Sequence, residues 1–168
     1  MITPQPSNFA FIGRVWPELL IHCRNAEQSA VSNPRVAGIE ARFTLERLVD
    51  HIVEVYGLPS GSGWNLNDKL NHRSFKDRVN QRIHDKMNVL RRFGNDAAHN
   101  PDHIDPERAV RAIGQLFDIL VWAAVNVARP PLERTKLPTF DRSIVYNAPK
   151  QRQRSQQEIA KLNQQLQQ

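Results

Sequence analysis

Apolar residues return every three or four positions in four separate segments of this 168-residue chain. That spacing matches the 3.6-residue turn of an α-helix, so each segment presents one apolar stripe to a core. No segment shows the two-residue alternation that is typical of a half-buried strand. The sequence therefore predicts an all-α bundle of four main helices. The clearest stripe consists of Ala41, Leu45, Leu48, Val49, Ile52 and Tyr56.

Capping signals predict where the helices begin and end. In Asn33-Pro34 and in Asp105-Pro106, a residue that commonly caps helices is followed by a proline, and proline suits the first helical position. We expect the second main helix to start at Asn33 and to end before Gly57, and the fourth to start at Asp105. The other predicted helices cover about 15–32, 66–71 and 75–98.

The chain is expected to divide into a helical domain and a tail. Residues 1–130 form the predicted domain, 131–149 an extended linker with little periodicity, and 150–168 a Gln-rich helical tail. The tail has only three apolar positions, spaced as at the start of a coiled coil, so we expect it to lead into further domains of a longer protein. Those positions are Ile159, Leu162 and Leu166.

Composition limits the class of protein. No apolar run approaches the roughly 18 residues of a membrane span, and the N-terminus lacks the pattern of a signal peptide. The single cysteine, Cys23, excludes a disulfide framework and a zinc cluster, and we expect it to fill the core. These features predict a cytoplasmic protein that has no membrane partner.

Positive charge is concentrated in one part of the chain, residues 69–92, which we call the basic segment. It contains eight Lys or Arg against two Asp, an excess equal to the net charge of +6 of the whole chain. Such clustering is typical of surfaces that bind phosphate backbones, although a solvated helix face gives the same pattern. Arg78, Arg82 and Lys86 repeat every four residues, as if along one helix face. The candidate nucleic-acid contacts are Lys69, Arg73, Lys76, Arg78, Arg82 and Lys86.

The stretch LRRFGNDAAHN, residues 90–100, places polar groups and a glycine inside the third predicted helix. Glycine costs about 1 kcal/mol against alanine in a helix interior. Gly94 falls in the buried stripe, where a missing side chain lets another helix approach closely. Arg92, Asn95 and His99 fall on another side of the helix, within about 60° of one another together with Asn88.

Three interpretations of this polar side remain open. Arg42 and Glu46 on the second helix are spaced to pair with each other, and could form a structural network with Arg91, Asn95 and His99. The arginines could instead contact a phosphate. In the third interpretation a neutral His99 takes the proton of a ribose 2′-OH while an arginine stabilises the phosphate charge, which makes Arg92, Asn95 and His99 catalytic candidates.

Five motifs occur along the chain: SNFAF at 7–11, WPELL at 16–20, AEQSAVSNP at 26–34, EARFTLERLV at 40–49 and GNDAAH at 94–99. Together they resemble a helical domain found at the front of the R subunit of some type I restriction enzymes, a domain placed in the HEPN superfamily. The resemblance covers about Ser7 to Ala128. It implies a HEPN-like fold, followed in the restriction subunits by a helical linker, a nuclease domain and a superfamily 2 helicase.

The resemblance implies a non-catalytic module that docks the restriction subunit onto the methyltransferase and specificity subunits, or holds DNA without sequence preference. Its parent would be an ATP-dependent DNA endonuclease of phage defence, with ATP and Mg bound only by other domains and no cofactor or metal here. The alternative is a metal-independent HEPN ribonuclease of a defence or toxin system. Those enzymes carry an Arg, four to six residues and a His; Arg92 and His99 have six between them, whereas Arg91 has seven.

Two further expectations concern geometry. Seven positions of an unbroken helix separate Arg92 from His99 by about 10 Å. The length of the arginine side chain, a kink after Gly94 or a homodimer would therefore have to bring the two groups of a ribonuclease together. The remaining candidate histidine of the third helix, His84, is expected to be solvated on the polar side.

Overall fold

The computed structural model describes residues 4–100, 102 and 104–167, and this part of the chain contains helices and no strand. The all-α prediction is therefore confirmed. The α-helices are α1 (Pro17–Ser29), α2 (Pro34–Tyr56), α3 (Leu66–Asn71), α4 (Arg73–Arg78), α5 (Gln81–His99), α6 (Pro106–Asn126) and α7 (Arg142–Leu166). Short 3₁₀ turns at Ala10–Arg14 and Arg134–Lys136 accompany them.

Helix α2 lies at the centre and packs against α1, α5 and α6. Its predicted stripe is buried from Ala41 to Ile52, and Tyr56 is partly buried at its end. The predicted limits of α2 are also confirmed. The Asn33 side chain accepts a hydrogen bond from the Val36 N–H, and Gly57 ends the helix in the left-handed region with φ of +58°. The Asp105 carboxylate likewise accepts from the Arg108 N–H at 2.7 Å and starts α6.

Two glycines allow α2 and α5 to cross closely. A Cβ on Gly94 would overlap Arg42 Cβ and lie 2.8 Å from Arg42 Cδ, and a Cβ on Gly38 would overlap the Ala97 side chain. Gly94 is itself buried. The predicted packing role of Gly94 is confirmed, and its partner is the stem of an arginine on α2.

The predicted helix over 75–98 is wrong at its start, because the chain breaks between α4 and α5. Val79 is extended, with φ of −108° and ψ of 129°. The Asn80 side chain accepts from the Ile83 N–H at 2.9 Å and thereby caps a new helix. A side chain that bonds to nearby backbone competes with helix continuation, which is why asparagine favours caps over helix interiors.

His84 is buried, so the expectation of a solvated histidine is wrong. Its Nε2 lies 2.7 Å from the Leu70 carbonyl oxygen. A carbonyl can only accept, so Nε2 carries the proton, and Nδ1 is free to accept from the Asn88 amide at 3.4 Å. His84 therefore ties α5 to α3.

The extended linker expected for 131–149 is wrong from Arg142 onwards, where α7 begins. The Asp141 side chain accepts from the Ser143 N–H at 2.9 Å and caps the helix. Pro149 lies inside α7 and removes one backbone donor, but Val145 and Ala148 are buried before it. The burial of these two side chains thus outweighs the backbone donor that Pro149 removes from the helix.

A buried polar contact holds the start of α7 to the bundle. The Asn8 backbone N–H and side-chain amide both donate to Glu27 Oε2, at 2.9 and 3.0 Å. Asn8 also exchanges two hydrogen bonds with the Asp141 backbone, at 3.0 and 2.8 Å. Burial raises the pKa of the Glu27 carboxyl, and the bonds from Ser7 and Asn8 oppose that rise. No sequence pattern pointed to this contact.

Helix α6 is long and apolar enough to cross a bilayer by length and composition alone. In this structure, however, 56% of its most apolar window is buried within the protein, and its stripe contributes Ile113, Leu116 and Leu120 to the core. The helix has the character of a core helix of a soluble protein.

Alanine substitutions of Gly94 in α5 and of Gly114 in α6 should change the stability in opposite directions. Gly94→Ala should lower the free energy of unfolding by about 1–3 kcal/mol, because α2 and α5 must separate. Gly114→Ala in α6 should raise it by up to about 1 kcal/mol, because a Cβ there meets only Phe140, at 3.4 Å, and alanine is the better helix former. Urea unfolding of both variants measures this; a Gly94→Ala variant as stable as Gly114→Ala would contradict the close crossing.

Candidate nucleic-acid interface

The Arg92 and His99 side chains are both exposed on α5. The helix runs unbroken from Gln81 to His99, so Gly94 introduces no kink. Seven residues of continuous helix correspond to about 10 Å of rise between the two positions. Without a kink, the length of the arginine side chain or a second copy of the chain has to span the distance between this guanidinium and the imidazole.

Three members of the expected polar network do meet. Arg42 Nε donates to Glu46 Oε1 at 3.0 Å, one turn along α2. The Arg42 guanidinium also donates to the Asn95 Oδ1 of α5. Arg42 thus crosses Gly94 with its stem and binds α5 with its head, which joins the two helices by packing and by hydrogen bonding.

His99 lies outside this network. Asn95, four residues before His99 on α5, accepts from the Arg42 guanidinium through its side-chain oxygen. In the part of the chain that the structure describes, the His99 ring forms no hydrogen bond or ion pair. The imidazole is thus a solvent-exposed group at the end of α5, and no residue among those described orients it by a hydrogen bond or an ion pair.

Arg91 lies beside the network without joining it. Its Nε is buried and has no hydrogen-bond partner among the described residues. Burial lowers the pKa of the Arg91 guanidinium, and the positive charges of Arg92 and Arg42 lower it further. The three arginines therefore form a locally crowded positive region at the α2–α5 crossing, which favours the approach of an anion.

The six candidate nucleic-acid contacts fall into two groups. Lys69 Nζ is 2.7 Å from Asp50 Oδ1, and Lys86 forms an ion pair with Asp118. These acids belong to α2 and α6, outside the basic segment, so a local charge count missed them. The other four candidates, which we call the exposed quartet, are open to solvent: Arg73, Lys76, Arg78 and Arg82. Within the quartet, Arg73 Nε lies 4.0 Å from Asp77 Oδ2, an ion pair one turn along α4 that leaves the arginine side chain 93% exposed.

The quartet does not form one helix face. Arg78 ends α4 and Arg82 lies in α5, with extended Val79 between them, so the expected face through Arg78, Arg82 and Lys86 is wrong. The Arg78 guanidinium lies 5.3 Å from the Tyr56 ring centroid, a cation–π contact. The quartet instead spans the α4–α5 turn, where four cations accompany a single acid, Asp77.

These residues give little support to metal binding or to a cysteine nucleophile. The described part of the chain contains no group of three or more His, Cys, Asp or Glu that could hold a metal ion. Burial raises the pKa of the Cys23 thiol to about 12, so this cysteine is not a nucleophile at neutral pH.

Comparison with known proteins gives one match. The model of a family described as "Domain of unknown function (DUF4145)" matches residues 24–164, from α1 through most of α7. No curated protein and no solved structure matches the chain. Because the family model covers most of the sequence, the chain belongs to the DUF4145 family.

Asn95 and His99, four residues apart on α5, should differ in their contribution to stability. Asn95→Ala should cost about 1–2 kcal/mol, because it removes an acceptor of the Arg42 guanidinium. His99→Ala should change the free energy of unfolding by less than about 0.5 kcal/mol, as for an exposed position without partners. Chemical denaturation tests both; an equal cost for the two variants would place His99 in the network.

Proposed function

We propose that this member of the DUF4145 family is a HEPN-like, non-catalytic helical module that contacts nucleic acid electrostatically. The observation that carries the proposal is the exposed quartet: four solvent-exposed cations within ten residues, with Asp77 as the only acid among them. Exposed Lys and Arg bind phosphates, release counterions and read no bases, so the contact is independent of sequence and weakened by salt.

The resemblance to the front domain of type I restriction R subunits supports the biological setting. Its four main helices would be α1, α2, α5 and α6, which supply most of the core. In that setting the protein is a cytoplasmic component of phage defence. The methyltransferase and specificity subunits are its partners, and the ATP-dependent cleavage of DNA belongs to other domains that bind ATP and Mg.

The ribonuclease alternative has weaker support. A general base must lie within hydrogen-bond reach of the proton it removes, and its effectiveness depends on being oriented. Arg92 and His99 are about 10 Å apart along α5. Catalysis would need the length of the arginine side chain or a second copy of the chain to close this gap, so we favour binding over cleavage.

Charge reversal tests the proposed contact. Arg73→Glu with Lys76→Glu should weaken binding to every duplex alike and reduce the slope of log K against log salt by about 2. Both side chains are exposed, and Arg73 is 93% exposed, so the melting temperature should change little. Fluorescence anisotropy with a labelled duplex across a salt series gives the affinity and the slope.

The matched control reverses two exposed arginines elsewhere, Arg35→Glu with Arg111→Glu. It changes the net charge by the same amount and should reduce affinity much less. If both pairs reduce affinity equally, or if the first has no effect at low salt, the quartet is not the contact surface.

A further inference from the structure

A cleft of about 320 Å³ lies between the first half of α5 and the second half of α6. Arg134, from the 3₁₀ turn that precedes α7, closes one side. The volume is at the lower end of the range for small-ligand sites. Three distant parts of the chain thus form one concave surface, which no local sequence motif predicts.

The cleft has an apolar part and a cationic part. Ile83, Val121 and the partly buried Trp122 contribute the apolar part. Arg82 and Arg134 contribute exposed guanidinium groups, and neither forms a hydrogen bond or ion pair within the residues that the structure describes. The surface therefore combines an indole with two positive charges that form no ion pair with any acid of the described ranges.

The other charges of the cleft cancel. Lys86 is paired with Asp118, so this lysine and this carboxylate together add no net charge. A ligand that fits the whole surface has an anionic group for the two arginines and a flat, weakly polar ring for Trp122. A nucleotide has both, because its phosphate suits guanidinium groups and its base stacks on aromatic side chains.

We propose that this cleft binds a nucleotide unit of single-stranded nucleic acid, with the phosphate at Arg82 and Arg134 and the base against Trp122. The proposal rests on the proposed function and adds a preference for unpaired strands. Bases in a duplex are stacked on each other and offer only their edges, whereas an unpaired base exposes the face that stacking requires.

The cleft is also placed to receive a strand in preference to a free nucleotide. Arg82 belongs both to the exposed quartet and to the wall of the cleft. A phosphate backbone that follows the quartet along the α4–α5 turn therefore reaches the cleft at Arg82. The quartet supplies affinity for any nucleic acid, and the cleft adds affinity only for a strand with an accessible base.

The test compares an oligothymidylate of about 12 nucleotides with a duplex of equal length, by anisotropy at one salt concentration. Trp122→Leu, which keeps an apolar side chain, and Arg134→Gln should each weaken single-strand binding by about tenfold and change duplex binding by less than about twofold. Lys136→Gln is the control, because it removes the same charge from the same exposed turn outside the cleft lining.

Each outcome distinguishes the two proposals. If neither single strand nor duplex binds at low salt, the proposed function fails. If the duplex binds but neither Trp122→Leu nor Arg134→Gln weakens single-strand binding, or if both weaken the two nucleic acids equally, only the cleft assignment is overturned. Thymidine monophosphate that binds as tightly as the oligonucleotide would also overturn the assignment to a strand. Arg134→Gln alters an exposed turn residue, so this variant tests the cleft assignment even if Trp122→Leu does not fold.

Discussion

The close crossing of α2 and α5 is the contact on which the rest of this structure depends. Gly38 and Gly94 have no side chains where the two helices meet, and this lets Arg42 lie over Gly94 and bond to Asn95. Because α2 also packs against α1 and α6, a change in its distance from α5 would disturb the whole core. Gly94 costs stability as a helix residue. The close packing of α2 on α5, and the Arg42–Asn95 hydrogen bond that this packing allows, offset the cost.

That crossing also determines which groups of α5 are available for function. With Asn95 bonded to Arg42, the end of the helix leaves Arg92 and His99 in solvent and Arg91 crowded by like charges. At the other end of α5, the Asn80 cap redirects the chain and exposes the cations around the α4–α5 turn. The acids at the two ends of α5 are already bonded: Asp85 accepts from the Gln81 amide at 2.7 Å, and Asp96 accepts from the Arg108 guanidinium at 2.6 Å. This arrangement suits the binding of phosphates better than proton transfer.

Features that depend on local sequence, such as helix limits, could be predicted, whereas contacts between distant segments could not. The limits of α2 follow from Asn33-Pro34 and Gly57, and the packing of Gly94 follows from its position in the apolar stripe. The ion pairs of Lys69 with Asp50 and Lys86 with Asp118 join segments far apart in the chain, so no local pattern contains them. The same holds for the cleft that joins Arg82, Trp122 and Arg134. Two predictions from local sequence were wrong. The segment around Pro149 is helical because Val145 and Ala148 are buried, and Asn80 caps a new helix within the run that the apolar spacing predicted to be continuous.

We propose that the polar side of α5 joins α5 to α2 through Asn95 and Arg42 and has no catalytic role. The most direct measurement is cleavage of a labelled single-stranded RNA in the presence of a metal chelator, by the unaltered chain and by the His99→Ala and Arg92→Ala variants. We expect no cleavage above the buffer control for any of the three. Metal-independent cleavage by the unaltered chain that disappears in both variants, while their melting temperatures stay unchanged, would contradict it.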